Sequence, residues 1–441
     1  SLQNTNEEPK PHSSLSIAKQ EKSKQGRIRL RETIQFVQPD VKLMDSISNL
    51  EKIFQETKWL AIIHADGNGL GEIFSKFDQY SKSSGRDYIN NYRKFSIALD
   101  ICTINSTGFA LENFQRSYRE DYRKRTGNDT IELPFVPLIL GGDDLTVICD
   151  GEYAIKFTKD FLERFEQETQ ELNKGGKFAK ISEKLKVGIE GKQEDIIPFV
   201  AKNALGANRL GICAGIAIIK PHYPFHQAYE LAEQLLKSAK QVKTKVLQAN
   251  GKQLPASAMD FHVLYDSSGV ELNQIREKLL ADEHKTYLFA KPYIITDSDK
   301  LGGTNEKNWH TPRLWEELEI RVWAMKATEK EEVGKRKLPN SQMHHIRENL
   351  FRGKAVTDSE VNLFSHRYKK KGFHHLLWKK DDPKSLFLDE EHRKDGQKVK
   401  GHTTHFLDAL DTVEFWKGFS EERCKEILEE NSEKTEVENE Q

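Results

Sequence analysis

The motif Gly-Gly-Asp-Asp at residues 141–144, set between two apolar runs, constrains the fold of this chain most. The apolar runs cover residues 135–140 and 145–149. Such runs joined by a glycine pair are typical of a β-hairpin, because glycine accepts the positive φ that primed turns require. We therefore expect Asp143 and Asp144 to lie side by side at the tip of a hairpin. A plain turn without function is the alternative interpretation of this motif taken alone.

A second motif, Asp-Gly-Asn-Gly at residues 66–69, follows an apolar run that is typical of a buried strand. Asp66 ends this strand, and a helix is predicted to begin near Leu70. Free backbone N–H groups and the helix dipole both favour an anion at such a junction. Gly67 and Gly69 would let a ligand approach the backbone closely. The segment is predicted to bind phosphate, and a solvated loop is the alternative.

The two motifs together predict a metal site. If their strands are neighbours, Asp66 faces Asp143 and Asp144. Three carboxylates from two adjacent strands can bridge two Mg²⁺ (or Mn²⁺) ions and a nucleoside triphosphate, the arrangement for attack on an α-phosphorus. We expect no protein base, so the attacking ribose hydroxyl would lose its proton only with help from the metal.

The order of elements predicts an α+β fold. Helical periodicity follows the hairpin within residues 150–172, an apolar strand is expected over 210–219, and a second amphipathic helix over 224–242. Together with the two motifs, these elements predict a ferredoxin-like βαββαβ palm of the nucleotide cyclase and polymerase type, followed by one more helix.

The chain resembles the CRISPR polymerase family, the large subunit of type III CRISPR effector complexes with its GGDD palm. The matching pieces are the Asp66 strand and turn and residues 141–144, 214–218, 228–240, 257–264, 291–293 and 338–342. The resemblance extends from about Trp59 to about Trp416. It implies an enzyme that joins ATP molecules into cyclic oligoadenylate second messengers in anti-phage defence.

The resemblance also implies roles for single residues. Asp66, Asp143 and Asp144 would be catalytic and coordinate Mg²⁺. Nucleotide contacts would come from the lysines of one helix and from two glycine-containing turns: Lys240, Lys237, Gly67, Asn68, Gly69, Gly141 and Gly142. A solvated helix face is the favoured interpretation of Lys237. The family also implies guide or target RNA and other CRISPR effector subunits as partners.

The sequence departs from the family in three respects. It contains no His-Asp dipeptide, the metal-binding centre of an HD nuclease domain. We recognise neither a first palm nor a zinc finger, since the cysteines include no C-x-x-C pair. The expectation is a short form of the family without the nuclease domain.

Composition adds three expectations. The net charge of −1 does not indicate a nucleic-acid binder. A local cluster from His366 to Trp378 mixes basic and aromatic residues, which can bind RNA and stack its bases, although a solvated surface is the commoner explanation. No apolar segment approaches membrane-spanning length, no signal peptide is recognised, and the scattered cysteines fit a cytoplasmic protein.

We predict five regions along the chain. They are a disordered segment over 1–26, the palm over 27–250, a palm extension over 251–300, a mainly helical domain over 301–430 and an acidic tail over 431–441. Within them, a strand and a short helix are expected over 34–54, and further strands over 254–293.

Two other functions stay open. One is a catalytically silent palm that only supports a CRISPR ribonucleoprotein, although a scaffold needs none of the acids. The other is a diguanylate cyclase of the GGDEF type. Asp144-Leu145 stands here where that type has Glu-Phe, which argues against this function. A single palm must bring together two substrates, so we also expect a palm–palm dimer or a second palm in a partner.

Overall fold

A computed structural model describes residues 14–44, 58–127, 131–172, 177–189, 192–248, 251–265, 271–304, 309–329, 335–368, 371–378, 384–394 and 397–420. The helices are α1 (Ser14–Val37), α2 (Leu70–Ser75), α3 (Phe77–Ser81), α4 (Gly85–Thr126), α5 (Ala154–Gln170), α6 (Ala179–Ser182), α7 (Ile196–Leu205), α8 (Phe225–Lys240), α9 (Val242–Lys245), α10 (Leu272–Glu277), α11 (Trp315–Lys326), α12 (Asn340–Leu350), α13 (Lys354–Arg367) and α14 (Phe406–Thr412). The strands are β1 (Leu60–Asn68), β2 (Phe135–Gly141), β3 (Asp144–Asp150), β4 (Lys186–Ile189), β5 (Lys192–Asp195), β6 (Gly211–Ile219), β7 (Val246–Leu247), β8 (Ala258–Val263), β9 (Leu280–Ala281), β10 (Thr286–Tyr287), β11 (Tyr293–Ile294), β12 (Gly303–Thr304), β13 (Leu388–Lys394) and β14 (Gln397–Thr403).

The central sheet has six strands in the order β11-β8-β6-β1-β3-β2. Strand β1 lies between β3 and β6 and is antiparallel to both. The order β6-β1-β3-β2, with helices between β1 and β2 and between β3 and β6, is the ferredoxin-like arrangement that the sequence predicts. Strand β8 extends it in parallel with β6, and β11 pairs with β8.

The alternation of side chains along β1 separates two layers of core. Ala61, Ile63 and Ala65 belong to the large cluster on the α4 and α5 side. Leu60 and Ile62 belong to the cluster formed with α8. Because successive side chains of a strand point to opposite faces, the polar residues at even positions further along β1 also lie on the α8 face.

Two predictions near the amino terminus are wrong. Residues from Ser14 to Gly26 are not disordered, because they form part of helix α1. Residues 34–37 complete this helix and do not begin a strand, and residues 45–54 lie outside the described chain. Ile34 is buried in the main core, which explains why a helix with so few apolar residues packs on α4 and β2.

The carboxyl-terminal part is mainly helical, as predicted, with α11 to α14 and one hairpin of β13 and β14. The prediction of palm strands over 254–293 is correct for β8 and wrong for β9 and β10. Those two strands join β13 and β14 in a separate sheet of four strands, and α10 interrupts the segment. The domain boundaries at residues 250 and 300 stay predictions.

Several aromatic rings of the basic and aromatic cluster are packed inside the protein, and RNA binding by its basic residues stays a prediction. Tyr368, Phe373 and His375 are buried, and Trp378 stacks on His405 with ring centroids 4.6 Å apart. Residues 369–370 lie outside the described chain. The expectation of bases stacked on these rings is therefore wrong.

Three of the cysteines, Cys102, Cys149 and Cys213, are buried free thiols, so the interpretation of Cys149 and Cys213 as core residues is confirmed. Within the residues that the structure covers, no helix is both long and apolar enough to span a membrane.

Candidate functional site

The Gly-Gly-Asp-Asp motif forms the predicted hairpin turn. Gly141 pairs with Asp144 at the ends of β2 and β3, which leaves Gly142 and Asp143 as the two turn residues. Gly142 has a φ of 61°, in the left-handed region that the first central position of a primed turn requires. Asp143 and Asp144 are both half-buried at the tip.

The Asp-Gly-Asn-Gly motif continues strand β1 further than its sequence suggests. Asp66, Gly67 and Asn68 all pair with β6, so only Gly69, with a φ of 88°, forms the turn into α2. The Asn68 side chain is buried and donates a hydrogen bond of 2.9 Å to the Ala256 carbonyl. Asn68 therefore also fixes the loop against the 251–265 segment.

A cavity of about 420 Å³ opens between this loop and the end of α8. Asp66 and Asp143 line it on the carboxylate side, and Lys240 and Lys243 line it on the basic side. The remaining lining residues are those of the loop and of the adjacent helices: Gly67, Asn68, Gly69, Leu70, Gly71, Glu72 and Thr244.

Lys240 forms a direct ion pair with Asp66, and both side chains are about one-third exposed. Burial lowers the pKa of Lys240, and the neighbouring charge of Lys243 lowers it further. Lys237 is 75% exposed and lies 3.8 Å from Glu233 of its own helix, so the structure does not bring it to the cavity.

Asp143 is held directly against the β1 loop. A Cβ atom added to Gly67 would come within 2.7 Å of the Asp143 Oδ2 atom and within 2.2 Å of Leu70 Cδ1. Burial raises the pKa of Asp143 and the charge of Asp144 adds to this, while hydrogen bonds from its own N–H and from Gly67 oppose the rise. A side chain at position 67 would therefore displace the Asp143 carboxylate and the Leu70 side chain.

Asp144 and Asp66 project from neighbouring strands on the α8 face of the sheet. The last pair between β1 and β3 is Ala65 with Leu145, so Asp66 and Asp144 follow one step beyond it. Asp144 does not line the cavity itself. Its neighbour on this face is His64, whose Nδ1 shares a hydrogen bond of 2.8 Å with Thr146 Oγ1.

The three acids do not form a ready-made metal cage. Among the residues that the structure describes, no group of three or more His, Cys, Asp or Glu side chains is arranged to hold a metal ion. The donors present are carboxylate oxygens, which Mg²⁺ prefers, and Mg²⁺ commonly takes only one or two of them together with substrate phosphates.

Several residues of the site were not predicted from the sequence. His64 could have been found, because a residue two positions before Asp66 on a strand shares its face. Lys243 and Thr244 follow α8 in a separate short helix, and no periodicity marks them. Asp100 and Thr103 lie in the middle of α4 and contact the hairpin tip, a contact between residues about 40 positions apart in sequence.

The antiparallel β6-β1-β3-β2 sheet and its hairpin with adjacent carboxylates define a palm domain of the kind found in nucleotide cyclases and polymerases. Residues 59–247 match the family model of the Cas10/Cmr2 second palm domain. This match confirms, for this part of the chain, the resemblance to the CRISPR polymerase family.

Similar solved structures include the Csm1–Csm4 cassette in complex with cA4, at 12% identity and a TM-score of 0.25. The same cassette in complex with cA3 matches at 14% identity and a TM-score of 0.25. Each match covers 44% of this chain and only 22% of the solved chain. No curated protein matches this chain. The assignment therefore rests on the family model and on the strand order.

Proposed function

We propose that this chain is a nucleotidyl cyclase that joins ATP molecules into cyclic oligoadenylate second messengers in CRISPR-linked or related anti-phage defence. One observation supports this most: carboxylates and lysines face each other across a single cavity beside a glycine-containing loop. The choice of adenine follows from the family resemblance.

The lysines of the cavity are suited to a triphosphate. Lys240 and Lys243 offer flexible point charges for phosphate oxygens, and the backbone at Gly67 and Gly69 leaves room for close approach. The lowered pKa of Lys240 shows that burial disfavours its charged form. An anionic ligand would stabilise the charged form of Lys240 in place of Asp66 and would add a partner for Lys243.

Asp66, Asp143 and Asp144 would hold Mg²⁺ or Mn²⁺. A bound ion supplies charge neutralisation at the triphosphate and acidifies the attacking ribose hydroxyl. In the present geometry Lys240 forms an ion pair with the carboxylate of Asp66. We therefore infer that Lys240 moves from Asp66 to the phosphates when substrate binds. The ion pair is then a resting arrangement of the site.

A second function is favoured by the same ion pair. In a palm that only supports a ribonucleoprotein, an acid already neutralised by Lys240 needs no metal. The two functions differ in substrate use. Incubation of the purified chain with Mg²⁺ and either labelled ATP or labelled GTP distinguishes the two functions. A cyclase consumes one of these two nucleotides and releases pyrophosphate, whereas a scaffold consumes neither. Turnover of GTP alone would instead indicate a diguanylate cyclase. Turnover of neither nucleotide, even with RNA and protein partners supplied, would contradict the proposed enzyme.

Catalysis requires a ribose hydroxyl from one nucleotide and a triphosphate from another. We propose that a second palm, from another copy of this chain or from a partner, presents the second nucleotide. Guide or target RNA and other CRISPR effector subunits are the further partners that the family implies. Sedimentation of the active species tests the second palm, and a strictly monomeric active enzyme would contradict it.

A further inference from the structure

The tip of the Gly-Gly-Asp-Asp hairpin is attached to the middle of helix α4 through one residue, Gly142. The Gly142 N–H donates to the Asp100 Oδ1 atom at 3.0 Å. The Gly142 carbonyl accepts from the Thr103 hydroxyl at 2.6 Å. Both backbone polar groups of the turn glycine are thus bonded to side chains of one helix.

The spacing of Asp100 and Thr103 makes this attachment possible. Residues three apart in a helix lie on the same face, so one carboxylate acceptor and one hydroxyl donor reach the same peptide groups. The Thr103 hydroxyl also lies 3.2 Å from the Leu99 carbonyl. Since a hydroxyl has a single hydrogen, the shorter distance favours donation to Gly142 over donation within the helix.

Helix α4 is a firm support for this contact. Residues 101–104, around Thr103, are buried, and the helix packs along α5 beneath the central sheet. Thr103 itself has no exposed surface. A turn bonded to such a helix keeps its position relative to the sheet, whereas the groups of a free hairpin tip would be satisfied by water.

We propose that Asp100 and Thr103 are positioning residues for the reaction, because they fix the turn that presents Asp143 and Asp144. This inference rests on the proposed function. Asp143 must stay against Gly67 for the carboxylates of two strands to act on one substrate. Misplacement of such groups by about 1 Å can cost about 100-fold in rate.

The test uses the full chain with Thr103→Val and Asp100→Ala, which each remove one bond, and Thr103→Ser and Asp100→Asn, which can keep it. Thr107→Val is the matched control, because Thr107 is equally buried on α4 but its hydroxyl donates to the Thr103 carbonyl at 2.8 Å, within the helix. Two quantities are measured: steady-state turnover of ATP, and hydrogen exchange of the hairpin peptide that includes Gly142.

We expect Thr103→Val and Asp100→Ala to lower kcat by about 10- to 100-fold with little change in KM for ATP. Hydrogen exchange at the hairpin should accelerate in both, and the two conservative variants and Thr107→Val should behave like the wild type. Equal kcat and equal exchange in Thr103→Val and Thr107→Val would overturn the inference. If the wild type turns over no nucleotide even with its RNA and protein partners supplied, the proposed function fails and with it the catalytic role. The exchange data still decide whether the attachment exists.

Discussion

At the scale of single residues, the site depends on which lysine of α8 turns toward β1. Lys237 and Lys240 are three positions apart and are the same type of residue, so their chemistry alone does not distinguish them. Both lie in the last turn of α8, but of the two only Lys240 reaches Asp66 and the cavity, whereas Lys237 is exposed and lies near Glu233. Sequence analysis favoured Lys240 but could not exclude Lys237 as a contact, since both fit the periodicity of an amphipathic helix.

Replacement of Lys240 by alanine should weaken ATP binding by roughly tenfold or more, because a hydrogen bond to a charged group contributes about 1.5–3 kcal/mol. Lys237→Ala is the control and should bind ATP as the wild type does, since Lys237 pairs only loosely with Glu233 at the surface. Equilibrium binding of a non-hydrolysable ATP analogue measures both variants. Equal losses in the two variants would contradict the assigned roles.

A second residue-scale prediction concerns Asp150, at the buried end of β3. Burial raises the pKa of Asp150 to about 7, and Glu152 adds to the rise, while the Glu152 N–H, Lys417 and Arg125 oppose it. A carboxyl whose pKa is raised on folding stabilises the fold at low pH, and this stabilisation is lost as the pH rises through 7.

Asp150→Asn keeps an acceptor for the Glu152 N–H and removes the charge. The variant should therefore become more stable relative to the wild type as the pH rises from about 4 to about 7, with a constant difference above that range. Urea unfolding at a series of pH values gives this difference. A difference that does not depend on pH would show that Asp150 ionises normally in the folded protein.

At the scale of elements, helix α8 approaches strand β6 more closely than any side chain at position 215 would allow. A Cβ on Gly215 would come within 2.1 Å of the Ala232 carbonyl oxygen and 2.4 Å of the Leu236 nitrogen. Backbone atoms cannot move aside as a flexible side chain can. The position of Lys240 relative to Asp66 therefore depends on a glycine on the neighbouring strand.

Gly215→Ala should destabilise the protein by about 1–3 kcal/mol and lower its affinity for ATP, because the added methyl group displaces α8. Gly26→Ala serves as control: its Cβ meets nothing within 4 Å, and alanine favours the exposed α1 helix. Thermal unfolding and ATP binding of both variants test this. Wild-type stability of Gly215→Ala would indicate that α8 does not pack as closely as described.

The elements that sequence analysis recovered are those with strong local patterns. Strands β1, β3 and β6 each contain an apolar run, and α5 and α8 have clear apolar faces. Helix α1 was missed because its packing depends on few residues such as Ile34. The separate four-stranded sheet was missed because β9 and β10 have two residues each, and because β10 pairs with β14, a strand more than 100 positions away.

At the scale of the whole molecule, the carboxyl-terminal helices are joined to the palm through buried polar groups. Asp408 of α14 accepts hydrogen bonds from the Ala290 N–H at 2.7 Å and the Tyr293 hydroxyl at 2.9 Å. Lys291 Nζ lies 3.3 Å from the other carboxylate oxygen of Asp408, and both side chains are largely buried. Strand β11 of the central sheet is thereby tied to a helix more than 100 residues later.

Asp408→Ala should lower the free energy of unfolding by roughly 3–5 kcal/mol, because it leaves the buried charge of Lys291 without this partner. Asp408→Asn should lose less, since an amide oxygen can still accept from Ala290 and Tyr293. Urea unfolding at neutral pH compares the two variants. A wild-type stability for Asp408→Ala would show that this connection contributes nothing to the fold.

The central claim is that the palm is catalytic, and the products formed from ATP test it most directly. The purified chain is incubated with ATP and Mg²⁺ beside the Asp143→Ala/Asp144→Ala double variant, and the products are identified by mass spectrometry. We predict a cyclic oligoadenylate from the wild type and none from the variant. The same product from both proteins, or no product from the wild type with any nucleotide even when its RNA and protein partners are supplied, would contradict this account.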